Sequence, residues 1–300
     1  MTTRDANTEN VGSSPPPSRR SGRIERLSAR YGPWAVVTGA SSGIGREMAL
    51  QLADAGLSVV MVARSRDVLD RLAADLDLYS RPGVEVRTVA VDLALDAGTM
   101  AVEKATRDLD VGLLVAAAGF GTSGPFLESS LEKELEMLDV NCRAPLQMSL
   151  HFGRRFAGRG RGGLVLMGSI VGFQGTPKSA NYAATKAYVQ SIAEALHAEL
   201  APLGVDVLAS APGPTDSGFA TRAGMQMGRT LKPEDVARST LAALGRRSTV
   251  LPGALSKLLA YSLAPLPRWA RVRIMGRVMG GMTKQGSTAR SSPTAGDRAG

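Results

Sequence analysis

Short apolar runs alternate along the chain with longer stretches that have helical periodicity. Runs rich in β-branched residues predict strands, and apolar residues three and four positions apart predict helices. The predicted strands cover 34–40, 57–64, 84–93, 110–119, 162–170 and 204–214, and the predicted helices cover 45–56, 66–78, 131–156 and 180–202. Strands separated by helices of this length favour right-handed βαβ units and a parallel sheet.

Several of these strands are apolar on both faces, which is typical of a sheet covered by helices on both sides. We therefore predict one doubly wound α/β domain over residues 30–250. Residues 1–25 and 283–300 are polar and rich in Ser, Arg and Gly or Pro, so both are predicted to be disordered tails. Residues 251–282 are predicted to form a basic, amphipathic C-terminal extension.

The composition indicates the kind of cellular compartment in which the protein is found. The chain has 300 residues and a single cysteine, Cys142, which excludes an intrachain disulfide and fits a reducing compartment. The first residues lack the apolar core of a signal peptide, and no uncharged apolar run of about 18 residues follows. We therefore expect a cytoplasmic protein, with peripheral attachment to a membrane as an open alternative.

The net charge of +9 is concentrated at the C-terminal end. From Gly245 onward there are ten basic residues and one acidic residue, which accounts for the whole excess. Two apolar stripes run through the same segment: Leu255, Leu258, Leu259 and Leu263, then Trp269, Val272, Met275 and Met279. Apolar and basic residues together are typical of a helix at an anionic lipid surface. Packing over a substrate site or against another subunit is also compatible with the pattern, and no nucleic-acid partner is expected.

A glycine-rich turn follows the first predicted strand and opens the first helix. Its sequence predicts a phosphate-binding loop formed by Gly39, Ser41, Ser42, Gly43, Ile44 and Gly45. Glycines permit a tight turn and close approach of a ligand, and the free amides at a helix N-terminus suit a pyrophosphate. The position between strand and helix makes a dinucleotide the favoured ligand.

The residues at the end of the second strand indicate whether the dinucleotide carries a 2′-hydroxyl or a 2′-phosphate on its ribose. An acidic residue there would accept a hydrogen bond from the 2′-hydroxyl of NAD. The sequence instead has Arg64 and Arg66, and a guanidinium can bind a 2′-phosphate. The pattern therefore favours NADP(H) over NAD(H), with Arg64 as the candidate ligand.

Tyr182 and Lys186 lie four residues apart on a predicted helix and therefore side by side. Alone, such a pair is usually a packed surface. With the glycine turn and Ser169 at a strand end, it indicates a proton donor for a carbonyl oxygen. A lysine ammonium about 5 Å away should lower the tyrosine pKa from near 10 by roughly two units. This predicts a general acid tuned toward neutral pH.

Together these residues resemble the short-chain dehydrogenase/reductase family. The turn from Thr38 to Gly45 resembles its TGxxxGxG motif, and four further positions match its catalytic tetrad: Asn141, Ser169, Tyr182 and Lys186. The resemblance covers about residues 32–220 and implies a Rossmann fold, a nicotinamide cofactor and a homo-oligomer, either dimer or tetramer. It also implies further cofactor contacts at Asp92, Leu93, Ala118, Gly119, Pro212, Gly213 and Thr215.

The resemblance implies a role for each member of the tetrad. Lys186 would also bind the nicotinamide ribose, Ser169 would donate to the substrate oxygen, and Asn141 would hold a water in a proton relay. The chain departs from the family at Ala116–Gly119, where two asparagines that brace the sheet are usual, and at Ser217, where threonine is commoner.

The predicted function is NADP(H)-dependent reduction of a ketone or aldehyde, or the reverse oxidation. Phe219, Met225 and Met227 after the last strand suit a mobile lid with an apolar inner face, which favours a lipophilic substrate. Two alternatives stay open: an isomerase or dehydratase on the same fold, and a non-catalytic NADPH-binding scaffold. No metal site is expected.

Overall fold

The computed structural model describes residues 26–79, 81–225, 228 and 230–283. The predicted tail at 1–25 and residues 284–300 of the second predicted tail lie outside the described residues, as does Met227. Residues 26–31 are helical and lead into the first strand.

Seven parallel strands form one sheet in the order β3-β2-β1-β4-β5-β6-β7. The strands are β1 (Trp34–Thr38), β2 (Ser58–Ala63), β3 (Val86–Ala90), β4 (Val111–Ala116), β5 (Gly162–Met167), β6 (Val205–Ser210) and β7 (Thr249–Val250). The helices are α1 (Gly43–Asp54), α2 (Arg66–Tyr79), α3 (Asp96–Ala105), α4 (Leu131–Leu138), α5 (Ala144–Arg159), α6 (Ala180–Leu200), α7 (Phe219–Arg222), α8 (Pro233–Ala243), α9 (Gly253–Leu263) and α10 (Arg268–Thr283). The predicted doubly wound α/β fold is confirmed.

The sheet is buried on both faces because its strands carry apolar side chains in both directions. In β1, Ala35 and Val37 join the core on one face, whereas Trp34 and Val36 join the core on the other. The strand order reverses where β1 lies between β2 and β4. In open parallel sheets, ligands bind at the carboxyl ends of the strands beside such a reversal.

Several helical features differ from the sequence prediction, including α7 and α8, which were not predicted. The predicted helix 131–156 is divided by a π-helical turn, Asp139–Arg143, and its last part continues to Arg159. Helix α3 was not predicted, because it buries Gly98, Thr99 and Val102 and therefore shows almost no apolar stripe. The π-helical turn adds one residue to a turn of helix and re-aims the side chains within it.

The C-terminal extension consists of α9 and α10, and Arg271 fixes the connection between them. Its guanidinium donates hydrogen bonds to the carbonyl oxygens of Ala264 and Leu266, which closes the turn around Pro265 and Pro267. Within the described ranges, no helix is both long enough and apolar enough to cross a bilayer.

Candidate active site

A cavity of about 630 Å³ opens at the carboxyl ends of the parallel strands. Every predicted catalytic or cofactor residue except Asn141 lies on its wall: Gly39, Ser41, Ser42, Gly43, Ile44, Gly45, Arg64, Asp92, Leu93, Ala118, Gly119, Ser169, Tyr182, Lys186, Pro212, Gly213 and Thr215. Arg66 lies at the start of α2 and is not on the wall. The fold thus brings distant sequence motifs to one place.

The glycine turn is packed too tightly for side chains. Gly39 has φ +69°, and a Cβ on Gly45 would lie 2.4 Å from the Gly39 carbonyl oxygen. The side chain of Ser42, which precedes α1, makes no capping hydrogen bond to the first turn. Backbone amides at this helix N-terminus therefore face a cradle that suits a pyrophosphate.

Thr38 supplies the brace that the alanines at 116–118 lack. Its buried hydroxyl oxygen accepts hydrogen bonds from the amides of Ala117 at 3.1 Å and Ala118 at 3.0 Å. These bonds join the end of β1 to the chain that leaves β4. The side chain of Thr38 therefore joins these two segments although the usual asparagines are absent.

Arg64 lies just beyond β2 at the edge of the cavity. Its Nη1 is 3.4 Å from Oε1 of Glu136 on α4, and 63% of its side chain is exposed. An exposed ion pair of this kind contributes about 0–1 kcal/mol. The guanidinium can therefore exchange this partner for an anionic ligand at little cost.

Asn141 lies behind the cavity wall, within the π-helical turn. Its side-chain amide donates to the carbonyl oxygen of Phe120 at 2.9 Å and to Oγ1 of Thr185 at 3.1 Å, and its oxygen accepts from the Phe120 amide at 3.1 Å. These bonds tie the chain after β4 to α6, the helix that carries Tyr182. In this arrangement Asn141 is a positioning residue for both segments.

Tyr182 lies between the cofactor end and the apolar end of the cavity. Its ring packs against Phe219 at a centroid distance of 5.1 Å, and Nζ of Lys186 lies 5.7 Å from the ring centroid. Burial raises the pKa of Tyr182 above its ordinary value, although a hydrogen bond with Ser169 acts to lower it. The prediction of a tyrosine tuned downward by lysine is therefore wrong for the protein in this structure.

Lys186 is buried as well, and burial changes its pKa too. Its ammonium donates to the Met167 carbonyl oxygen at 2.8 Å, and only 6% of the residue is exposed. Burial lowers the pKa of Lys186 to about 8, with a smaller opposing effect from Cys142. Burial favours the neutral form of both side chains, so it raises the pKa of Tyr182 and lowers the pKa of Lys186.

This lowered pKa predicts a pH-dependent stability. The unfolded chain keeps Lys186 protonated up to about pH 10, whereas the folded chain releases the proton near pH 8. Between these values the unfolded state binds more protons, so the free energy of unfolding rises with pH, by at most about 1.4 kcal/mol per unit. We expect urea unfolding between pH 7 and about pH 9.5 to show a rise that Lys186→Met reduces by about 1–2 kcal/mol. The wild type and the variant share all other titrating groups. If the free energy of unfolding rose equally with pH in both proteins, the pKa of Lys186 would not be lowered by burial.

The far end of the cavity is apolar. Phe219 and Met225 of the predicted lid contribute to its wall, together with side chains of the C-terminal extension. Those from the extension are Leu259, Leu263, Ile274, Met275, Val278, Met279 and Met282. Met225 and Met279 belong to one apolar cluster, so the lid segment and α10 pack together.

The two predicted stripes of the extension are only partly correct. Leu259, Leu263, Met275 and Met279 face the cavity, but Leu258 and Trp269 are exposed. Val272 instead lies beside Gly175, on the segment before α6. Phe120 and Gln174 also line the cavity and were not predicted, because no motif marks them.

A profile of the short chain dehydrogenase family matches residues 33–227. The chain belongs to this family. The match includes the glycine turn, the Ser169–Tyr182–Lys186 set and the start of the lid segment. It ends before α8, so α9 and α10, which complete the apolar wall of the cavity, lie beyond the matched residues.

Two curated relatives are named for a hydroxysteroid and for a very-long-chain 3-oxoacyl-CoA. A 7beta-hydroxysteroid dehydrogenase from Clostridium sardiniense is 32% identical over 233 residues, covering 76% of this chain and 88% of that enzyme. A very-long-chain 3-oxoacyl-CoA reductase from Pyrenophora tritici-repentis is 38% identical over 180 residues, covering 59% of this chain but only 53% of that enzyme.

Solved structures show the same fold. A structure from a study of 7beta-hydroxysteroid dehydrogenase stereoselectivity superposes with a TM-score of 0.77 and 27% identity, covering 83% of this chain and 98% of the other. A short-chain dehydrogenase from Sphingobium yanoikuyae in complex with NADPH gives 0.69 and 30% identity, covering 88% of this chain and 98% of the other. The family membership and these relatives support an oxidoreductase that uses NAD(H) or NADP(H).

Proposed function

We propose that this chain is an NADP(H)-dependent oxidoreductase that reduces a lipophilic ketone or aldehyde to an alcohol, or catalyses the reverse reaction. The observation that carries the proposal is one continuous cavity. It joins a glycine cradle at 39–45, the hydroxyl-bearing pair Ser169 and Tyr182, and an apolar wall formed by the lid segment and α10.

The glycine cradle, Asp92 and the turn at Pro212–Gly213 would hold the cofactor. A bound nicotinamide dinucleotide would supply or accept the hydride. The amide of Gly213 already has a fixed direction, because it donates to Oγ of Ser256 on α9 at 2.8 Å. The C-terminal extension thereby fixes one side of the cofactor cradle as well as the substrate wall.

Tyr182 and Ser169 would act on the carbonyl oxygen of the substrate. The phenol of Tyr182 is protonated at neutral pH, so its hydroxyl can donate a proton to an oxygen that gains negative charge. The Ser169 hydroxyl would donate a second hydrogen bond and orient the same oxygen. The ammonium of Lys186 lies next to the Tyr182 ring and is held there by its hydrogen bond to the Met167 carbonyl oxygen.

Two features support a lipophilic substrate. The wall beyond Tyr182 consists of the Phe219 ring and methionine and branched aliphatic side chains, which exclude water and adapt to irregular apolar shapes. Methionines are frequent on this wall, which suits a flexible or bulky hydrocarbon skeleton rather than one compact polar molecule.

The test is an assay of NADPH oxidation with ketones and aldehydes of increasing carbon number. We expect kcat/KM to rise along the series, because each buried methylene contributes about 0.8 kcal/mol. One added methylene should therefore increase kcat/KM about fourfold until the cavity is filled. Turnover restricted to short polar carbonyl compounds would contradict a lipophilic substrate, and NADPH binding without any turnover would favour the scaffold alternative.

We also propose that the enzyme is a homo-oligomer. Helices α4, α5 and α6 expose large apolar side chains to solvent: Leu131, Leu135, Leu146, Leu150 and Tyr188. Such a concentration of exposed apolar residues on neighbouring helices is typical of a protein–protein interface.

A further inference from the structure

Helices α9 and α10 each have a cavity side and a solvent side. On α9, Leu259 and Leu263 line the cavity, and on α10, Met275 and Met279 do so. On α9 the exposed residues include Lys257, Leu258 and Tyr261, and on α10 they include Trp269, Arg273 and Arg277; we refer to these six residues as the outer face. This composition differs from an ordinary solvated helix surface, because large apolar and basic residues share it.

The apolar members of the outer face are strongly exposed. Trp269 is 68% accessible, Leu258 66% and Tyr261 65%. Amphipathic rings such as those of Trp and Tyr gain free energy at the boundary between water and hydrocarbon, where the ring is buried and its polar group stays hydrated. These two rings, together with Leu258, provide the apolar part of an interfacial contact.

The basic members have no competing partner in the described part of the chain. Arg273, Arg277 and Lys257 form no ion pair with a described carboxylate. The sequence contains no acidic residue between Asp235 and Asp297, so the positive charge is not balanced locally. Anionic lipid headgroups attract surface Lys and Arg residues by about 1 kcal/mol each.

The outer face is also rigidly placed. Gly276 and Gly175 allow α10 to approach the segment before α6: Cβ atoms built on them would lie 3.2 Å from Pro177 and 3.4 Å from Val272. Arg271 fixes the connection to α9 through two carbonyl oxygens. The exposed side chains are therefore presented by two anchored helices beside the apolar end of the cavity.

From these observations we propose that the outer face of α9 and α10 docks on a membrane surface that contains anionic lipid. A second copy of the chain is a poorer occupant, because a two-fold contact through this face would bring Arg273 and Arg277 against their own equivalents. Where the proposed function holds, docking would place the apolar end of the cavity next to the phase in which a lipophilic substrate dissolves. The docking itself does not depend on that function.

The experiment is co-sedimentation of the full chain with phosphatidylcholine vesicles that contain or lack phosphatidylglycerol. We expect binding to the anionic vesicles that falls with added salt. The double variant Arg273→Gln/Arg277→Gln should bind about 30-fold more weakly, since each lost charge contributes about 1 kcal/mol. The matched control is Arg71→Gln/Arg81→Gln, which removes the same charge from exposed positions beside β3, at the other edge of the sheet.

Fluorescence gives an independent readout, because the chain has only two tryptophans and Trp34 is buried. Anionic vesicles should shift the emission of Trp269 to shorter wavelength, and Trp269→Phe should abolish the shift. Any of three results would overturn the proposal. The two double variants could lose binding equally, the full chain could fail to bind the vesicles, or it could bind duplex DNA more tightly than the vesicles. Self-association that Trp269→Phe abolishes would also overturn it.

Discussion

Replacing Tyr182 by phenylalanine is expected to lower kcat by about 10²–10⁴-fold, the contribution typical of a positioned general acid. The substitution removes only the hydroxyl and keeps the ring that packs on Phe219 at 5.1 Å. Cofactor affinity should therefore change by less than about threefold. The measurement is steady-state NADPH oxidation with the best carbonyl substrate, combined with NADPH titration by fluorescence.

The same helix provides a matched control for that variant. Tyr188 lies six residues beyond Tyr182, is about one-third exposed and does not line the cavity. Tyr188→Phe should turn over like the wild type. If Tyr182→Phe also kept normal kcat, the proton would have to come from another group, and the assignment of Tyr182 as general acid would be wrong.

The local motifs were predictable because their chemistry depends on residues close together in sequence. The glycine turn at 39–45 needs backbone freedom at fixed positions, and the Tyr182–Lys186 pair needs one turn of helix. In a parallel sheet the carboxyl ends of the strands lie at one edge, so the segments that follow them come together there. The structure accordingly places all of the predicted cavity residues but Asn141 on the wall.

Features that depend on tertiary burial were not predictable in the same way. The pKa values of Tyr182 and Lys186 depend on how completely each side chain is removed from water. The spacing of the two residues in the sequence indicates only that their charges can be close together. In the sequence prediction, each apolar stripe of α9 and α10 combined residues that line the cavity with residues that are exposed. Hydrophobicity alone does not show which of Leu258 and Leu259 lines the cavity. The motif that begins at Thr38 likewise did not show that its hydroxyl accepts hydrogen bonds from Ala117 and Ala118.

Replacing Arg64 by alanine is expected to weaken NADPH binding by about 10–100-fold, because a charge-assisted hydrogen bond to a phosphate contributes about 1.5–3 kcal/mol. NADH lacks the 2′-phosphate, so its dissociation constant should change by less than about twofold. Breaking the exposed pair between Arg64 and Glu136 should cost little stability, which keeps the comparison free of unfolding. The dissociation constants of both cofactors are measured by titration at one ionic strength.

Arg66→Ala is the matched control for this experiment. Arg66 is two residues away and is also exposed to solvent, but it does not line the cavity. Its removal should therefore leave the ratio of NADPH to NADH affinity unchanged, since general loss of positive charge acts on both cofactors through their shared pyrophosphate. Equal weakening of NADPH and NADH by Arg64→Ala would show that Arg64 contributes only to this general field, and the chain would then have no identified ligand for a 2′-phosphate.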